Sequence, residues 1–548
     1  MMRQNLHAST LTTTAPLAAP SRGAPPVPVR PPAVETDPPC FPVPGGLLDL
    51  STRAGRLLQR TLECLPGLVT WLVITSLVWG ALLVPRAAAV AVLAFDLFWL
   101  WLSCRTVWNA WISWRRVRRA RATDWRHEYR IARAFGRAFA AWEDIYHVVV
   151  IPNYKEPESI LRRTLASLAA QQNAAQIFVV LAMEAREQGG GAKARRLVEE
   201  FRDRFAGIFA TFHPAGLPGE VAGKSSNENW AARVAKRRLV DELGYDLNCL
   251  TVTSCDADTV FDPAYFACLT YKFGTDPRRY RRFWQSPIVL TNNIWDTPAP
   301  LRVGSALSDI HILGNLSKRD RVVFPQSTYS LSLRMAHEVG YWDPDIIPED
   351  WHMFLKCYYA FCGRVDVEPI YLPTGNDAVR AGGLWRTFVE AYRQKKRHAW
   401  GASDIPYAIR QMLAHGEMPL WRRVRRVIAL WANHLLWGTN WFLLTLGWWL
   451  PIAVRRLAGL DVDVSHLHAL ARFVLTTCLL PYVAAIVIAT RFRPPKPAWW
   501  RRRHSLFAAI MWAALPLTGF FFGALPALEA QTRLMLGKRL EYRCTAKV

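Results

Sequence analysis

Five stretches of the chain stay apolar for long enough to span roughly 30 Å of hydrocarbon. They are Leu65–Val84, Ala87–Cys104, and runs within Val427–Val454, Leu470–Thr490 and Ser505–Leu525. A Pro85-Arg86 turn separates the first two, and the second carries one acid, Asp96. A buried soluble helix accounts for one such run but not for five, so the pattern predicts a multi-pass membrane protein. The Val427–Val454 region is long, and a re-entrant or second segment within it stays open.

Between the second and third runs the pattern changes. Tyr146–Ile151, Ile177–Leu181, Ile208–Phe212 and Cys249–Ser254 are short β-branched or aromatic runs that predict buried strands. Leu161–Ala170 has helical spacing, and Pro348 is placed to start a helix over Trp351–Phe361. Strands alternating with helices predict a mostly parallel α/β sheet. There is no internal repeat. The divisions this gives are a Pro-rich disordered tail (1–50), two spans (51–104), a basic interfacial helix region (105–145), an α/β domain ending in interface helices (146–415), three or more spans (416–530) and a basic tail (531–548). No apolar run directly follows a charged start, so no cleaved leader is expected.

Charge orients this frame. The chain carries 68 basic and 43 acidic residues, a formal +25. The basic residues cluster beside the apolar runs, which points to an anionic membrane face and not to nucleic acid. Arg53, Arg56 and Arg60 precede the first run, and Arg115, Arg116, Arg118, Arg119 and Arg121 follow the second. Arg422, Arg423, Arg425 and Arg426 precede the third, and Arg491, Arg493, Lys496 and Arg501–Arg503 lie between the last two. All four groups fit the cytoplasm if the first two spans form a hairpin. Five spans then leave the C-terminus outside, in conflict with Lys538, Arg539, Arg543 and Lys547, so the span count stays open. The ten cysteines form no CxxC pair and are expected to be reduced.

Within the α/β region, Asp256-Ala257-Asp258 follows a strand end. Two carboxylates so spaced suit Mg²⁺ or Mn²⁺ bridged to a diphosphate, and the carboxyl ends of strands are where open α/β sheets bind nucleotides. Alone, the pair is more often a solvated turn. Gly219-Glu220-Val221-Ala222-Gly223-Lys224-Ser225 falls one residue short of P-loop spacing, which disfavours an NTPase. His311, His337 and His352 show no metal spacing and are expected to be structural.

Four motifs in order narrow the reading. Ile151-Pro152-Asn153-Tyr154-Lys155-Glu156 resembles the Pro-x-Tyr-Asn-Glu segment of family-2 glycosyltransferases of the GT-A fold. Asp256-Ala257-Asp258 is similar to that family's metal motif and Pro348-Glu349-Asp350 to its later Glu-Asp motif. Gln394-Lys395-Lys396-Arg397-His398 is similar to its Gln-x-x-Arg-Trp motif except at the last position. With the flanking spans, the chain resembles the cellulose, chitin and hyaluronan synthase superfamily over roughly residues 60–548.

The resemblance implies a GT-A domain in the cytosol, inserted between transmembrane helices of the cell inner membrane. It implies inverting transfer from a nucleotide-diphosphate sugar to a polysaccharide or lipid-linked glycan. Asp256 and Asp258 would hold Mg²⁺ or Mn²⁺, and Asp350 would be the base, with Glu349 the second candidate. Pro152, Tyr154, Glu156, Glu184, Lys224, Asp256, Gln394 and Arg397 would bind the nucleotide sugar, the Arg397 guanidinium through forked donors to phosphate. Trp284, Gln285 and Trp400 would meet the acceptor, and Gln326-Ser327-Thr328 would line its channel. Trp295, Trp351 and Trp385 are further rings suited to sugar faces. His398 stands where processive synthases have Trp, and Trp400, two residues late, is the alternative ring. That departure favours a non-processive enzyme acting on a polyprenyl phosphate or glycolipid. A transporter with a cytosolic regulatory domain is the rival of another class, and it requires ionisable residues along the spans. Only Asp96 and His434 lie well inside them.

Overall fold

The computed structural model describes residues 38–41, 48–318, 323–460 and 465–540. Residues 1–37 and 42–47, most of the expected Pro-rich tail, lie outside the described residues, as do 541–548 of the basic tail.

The four apolar runs form strands β1 (Tyr146–Asn153), β2 (Ile177–Glu184), β3 (Gly207–His213) and β4 (Leu250–Ser254). All four are paired in parallel, with Val148 opposite both Phe178 and Val252. Both faces are covered, which is why these strands are continuous apolar runs without alternation. Val148, Val150, Phe178, Val180 and Val252 pack on one side with Phe209. Val149, Ile151, Val179, Leu181 and Ile208 pack on the other.

The main sheet is mostly parallel, as expected. The further strands are β5 (Val260–Phe261), β6 (Arg282–Gln285), β7 (Ile288–Leu290), β8 (Tyr329–Ser332), β9 (Asp366–Pro369) and β10 (Thr374–Asn376). At two to four residues each they are too short for periodicity to reveal. The main sheet runs β3-β2-β1-β4-β8-β6-β9, and a small sheet runs β5-β10-β7. β8 is its antiparallel member, paired so with both β4 and β6. This mixed α/β arrangement has the GT-A architecture. The chain passes from β1 outward to β2 and β3, then returns to place β4 on the other side of β1. That reversal opens a crevice at the strands' carboxyl ends. At the far edge, beside the start of β1, lies a separate cavity of about 760 Å³ bordered by Arg121, Arg126, Trp142, Gln172 and Gln176.

Among the described residues, three helices are long and apolar enough to cross a membrane: Arg53–Leu83, Pro85–Arg121 and His466–Phe492. Arg502–Ala513 and Leu515–Met535 pass the same test as a pair bent by 66°. The expected count of five is therefore three, or four with the bent pair. The run within Val427–Val454 accounts for the difference. It folds as Leu420–Leu446, breaks at Gly447-Trp448 and resumes at Trp449–Leu457. Asn433, His434, Thr439 and Asn440 dilute its apolar character. The basic stretch after the second run is not a separate interfacial helix either. With no breaker before Arg121, it continues Pro85–Arg121 as one helix of 37 residues, about 55 Å long at 1.5 Å per residue.

That long helix carries the α/β domain. Helix Ala299–Leu316 lies along it, Ser113 Oγ donates to Leu313 O at 2.6 Å, and Arg121 pairs with Asp262 at 2.8 Å. The helices approach closely at Gly314, where a Cβ would stand 2.8 Å from Thr106 O. Alanine is the better helix former by up to about 1 kcal/mol, but here the obstructing atom is backbone. Gly314→Ala is expected to destabilise the protein by about 1–3 kcal/mol. A lowered thermal unfolding midpoint of the solubilised protein checks this; an unchanged or raised midpoint contradicts the packing.

Candidate active site

The carboxyl ends of β1, β2 and β4 hold three of the four sequence motifs. Asp256-Ala257-Asp258 leaves β4 and is fastened on several sides. Thr164 Oγ1 donates to Ala257 O at 2.7 Å and Asn292 Nδ2 to Asp258 O at 2.9 Å. The Asp377 N–H donates to Asp258 Oδ2 at 2.8 Å, and Asp377 is itself paired with Arg163 at 2.6 Å. Asp258 is almost wholly buried, whereas the Asp256 side chain keeps 30% of its surface. Asp256 is thus the outward carboxylate.

β8 folds back against β4 with Tyr329 opposite Ser254, and this register lays Ser327-Thr328 over Asp256. Ser327 takes a left-handed conformation, φ 55°, unusual for a residue with a side chain. In it, Ser327 Oγ donates to Asp256 Oδ2, its N–H donates to Asp350 Oδ2 at 3.1 Å, and its carbonyl accepts from Lys224 Nζ at 3.0 Å. Glu349 and Asp350 open the helix Glu349–Ala360, where the positive dipole end favours carboxylates. The Trp351 N–H donates to Asp350 Oδ1 at 2.8 Å, and the Trp351 ring stacks on Phe324 at 4.7 Å.

Lys224, at the start of helix Lys224–Lys236, joins these pieces. Its Nζ lies 2.8 Å from Asp256 Oδ1, 2.7 Å from Glu349 Oε1 and 3.9 Å from Glu228 Oε1. Burial opposes its charge, but Asp256, Glu349 and Glu228 outweigh that and hold the ammonium well above the ordinary lysine pKa. Glu228 is fully buried and accepts from Ser254 Oγ at 2.6 Å; burial, countered in part by Lys224, pushes it up to about 8. Burial and then the Glu349 charge push Asp350 up to about 7, suiting a group that takes up a proton near neutral pH.

The outer end of the crevice is formed by the first motif. The Tyr154 N–H donates to Glu156 Oε2 at 2.6 Å, closing the turn after β1 in which Lys155 has φ 66°. Pro152, inside β1, pairs with Ala182. Glu184, at the end of β2, is buried and bound to Arg186 at 3.1 Å, and the Arg186 guanidinium lies 4.3 Å over the Tyr154 ring. His213 sits between Glu184 and Glu220, 2.7 Å from the latter.

The expected acceptor residues are placed otherwise. Trp284 is fully buried in the sheet core, edge-on to Phe273 at 5.7 Å, and offers no face to a sugar. Trp400 is buried with Ala399, Ala402 and Ile405 and is no replacement for a ring at position 398. Gln285 is buried and braces the catalytic loop, donating to Thr328 O at 3.2 Å and accepting the Gln326 N–H at 2.7 Å. The Trp295 indole donates to Pro495 O, and Trp385 is 77% exposed. Gln394 and Arg397 are partly buried on helix Leu384–Ala399, whose Tyr392 and Lys396 bind Glu529 at 2.9 and 2.8 Å. Glu228, Arg186, Asn292 and Asp377 went unseen in the sequence. Glu228 carries a signal in its spacing, one helical turn after Lys224.

Among the described residues, no group of three or more His, Cys, Asp or Glu is arranged to hold a metal. Asp256 and Asp258 supply hard carboxylate oxygens of the kind Mg²⁺ and Mn²⁺ prefer, and such ions complete their shells with phosphate and water. The donor chemistry therefore fits a cation carried with a diphosphate.

The carboxylate cluster thus lies at the carboxyl ends of the strands, where open α/β sheets bind their ligands. Residues 251–522 match the family model described as Glycosyl transferase family group 2, and the chain accordingly carries a family-2 glycosyltransferase domain. The match begins at β4 and includes both Asp256 and Asp350. Among solved structures, the mannosyltransferase PcManGT from Pyrobaculum calidifontis, in complex with GDP-Man and Mn²⁺, is 15% identical, covering 79% of this chain and 97% of its own at a TM-score of 0.41. GalNAc-T7 with UDP, GalNAc and Mn²⁺ is 12% identical, covering 54% and 57% at a TM-score of 0.28. No curated protein sequence matches.

Two expectations follow. Asp350→Asn keeps the shape of the side chain and removes its basicity; turnover should fall about 100-fold or more while nucleotide binding changes little. A carboxyl group with pKa about 7 is protonated below that pH, so wild-type kcat/KM should rise as pH passes through about 7. Weakened nucleotide binding with turnover preserved would make Asp350 a binding residue. The second concerns His352, buried between Asp404 (2.7 Å) and Asp343 (3.0 Å). Burial disfavours its charge, but the two carboxylates prevail and raise it to about 9. Its stabilisation is then complete below the unfolded-state pKa near 6.5 and lost as pH rises through about 9. Unfolding midpoints measured from pH 6 to 9.5 should fall, on the order of 3 kcal/mol at most, and His352→Gln should flatten that slope.

Proposed function

We propose that this chain is a membrane-embedded, inverting glycosyltransferase that moves a sugar from a nucleotide-diphosphate donor to a glycan or lipid-linked acceptor on the cytoplasmic side of the inner membrane. The observation that carries the reading is the placement of Asp350. Its carboxylate is joined through Ser327 to Asp256, so a candidate base and a candidate metal ligand from two separate segments meet on one residue.

Each step has a residue for it. Asp256 and Asp258 would hold Mg²⁺ or Mn²⁺, and the bound ion would supply charge neutralisation for a departing diphosphate. Lys224, and Arg397 with Gln394, offer donors to phosphate oxygens. Tyr154, Glu156, Glu184 and the turn after Pro152 border the nucleoside end. Asp350 takes the proton from the acceptor hydroxyl as that oxygen attacks the anomeric carbon and the nucleoside diphosphate departs. One base with no enzymic nucleophile gives inversion. The apolar helices, with arginines at their ends, support residence in the bilayer.

The burial of Trp400 favours short products. His398 is exposed and presents a smaller face than indole at the position where related synthases have Trp.

Membranes containing the protein, incubated with radiolabelled UDP- and GDP-sugars, test the reading. One donor should label a glycan or glycolipid with inverted anomeric configuration, and Asp258→Ala should abolish labelling. With trace acceptor and excess donor, products should advance one sugar at a time. Retention of configuration would remove Asp350 from its role, and long polymer beside unused acceptor would refute the short-product reading.

A further inference from the structure

We propose that Lys224 is a built-in competitor of the divalent cation, so that metal settles on Asp256 only together with the nucleoside diphosphate. The inference rests on the metal-assisted transfer proposed above.

An ammonium has three donors and no acceptor. Lys224 donates to Asp256 Oδ1 at 2.8 Å and to Ser327 O at 3.0 Å, and its Nζ is ion-paired with Glu349 Oε1 at 2.7 Å. Only 10% of its side chain is exposed, so water does little to screen the charge. The other Asp256 oxygen accepts the Ser327 hydroxyl. Both oxygens of the outward carboxylate are therefore engaged from within the protein.

A Mg²⁺ or Mn²⁺ ion binds carboxylate oxygen at about 2.0–2.2 Å. With Lys224 on the same carboxylate, the two cations would stand only a few ångströms apart, where like charges in a poorly solvated site repel strongly. Asp256 and Asp258 carry two negative charges, and Lys224 already draws on the first. A free metal ion thus meets a site whose charge is partly neutralised. A nucleoside diphosphate changes the balance because its oxygens can accept from Lys224 and ligate the metal at once. Glu349, 2.7 Å away, keeps a carboxyl partner on the ammonium as Asp256 turns to the metal, and Glu228, one turn along the same helix, adds a further oxygen at 3.9 Å. The geometry therefore couples the two ligands: each binds better when the other is present.

The test is Mn²⁺ binding, read by the electron-spin-resonance signal of free ion, on the full-length solubilised protein with and without UDP or GDP. Wild type should bind Mn²⁺ weakly alone and tightly with nucleotide. Lys224→Met should bind Mn²⁺ alone about tenfold or more tightly than wild type, and Asp256→Asn should lose that gain. Equal or weaker Mn²⁺ binding by Lys224→Met would overturn the inference while leaving the glycosyltransferase reading intact. Lys224→Gln gives the same comparison if the methionine variant does not fold. In wild type alone, micromolar Mn²⁺ affinity without nucleotide, abolished by Asp256→Asn, would also overturn it. Absence of Mn²⁺ binding in every variant, nucleotide included, would remove both the inference and the metal-assisted reading.

Discussion

One ammonium holds the candidate active site together. Lys224 touches Asp256 on the β4 side, Glu349 on the side of the following helix, and the Ser327 carbonyl between them. Without that charge, three acidic side chains and the nearby Asp350 would face one another in a site where burial already disfavours ionisation. These acidic side chains converge on one place because a cation stands at its centre. The acidic residues differ in place: Asp256 faces outward, Asp350 is held at a helix start by two backbone N–H groups, and Glu228 is fully buried.

A second constraint sets where this site sits. The α/β domain rests on one 37-residue helix that continues an apolar run into an arginine-rich end. Close contact at Gly314 and the Ser113 hydrogen bond fix the domain against it. Glu529, in the bent C-terminal pair, binds Tyr392 and Lys396 on the helix that also carries Gln394 and Arg397. Apolar helices from both ends of the chain therefore contact elements of the α/β domain and of the helix that carries Gln394 and Arg397.

The sequence revealed the parts of the fold that carry long-range physical signatures. Four buried parallel strands are continuous apolar runs, and the apolar helices are longer still, so both were legible. β5–β10 were not, because strands of two to four residues hold no period and their pairing depends on contacts distant in sequence. The same limit governs the site. Asp256, Asp258, Glu349, Asp350 and Lys224 were recognisable as motif residues, but Ser327 as the link between Asp256 and Asp350 required the β4–β8 register. Trp284 and Trp400 misled for a general reason: a tryptophan is as good a core residue as a sugar platform, and composition does not separate the two. The polar residues of the Leu420–Leu446 helix misled in the opposite sense, since an apolar average over the longer run concealed them.

The central claim is that nucleotide and metal meet at the carboxyl ends of β1, β2 and β4, with Asp350 at the reacting side. It is tested most directly by locating Mn²⁺ and a nucleoside diphosphate in an experimental structure of the full-length protein. The account predicts Mn²⁺ on Asp256, the diphosphate between it and Lys224, and the nucleoside toward Tyr154 and Glu184. A nucleotide bound instead in the cavity between Arg121 and Gln176, or a metal with no contact to Asp256, would contradict it.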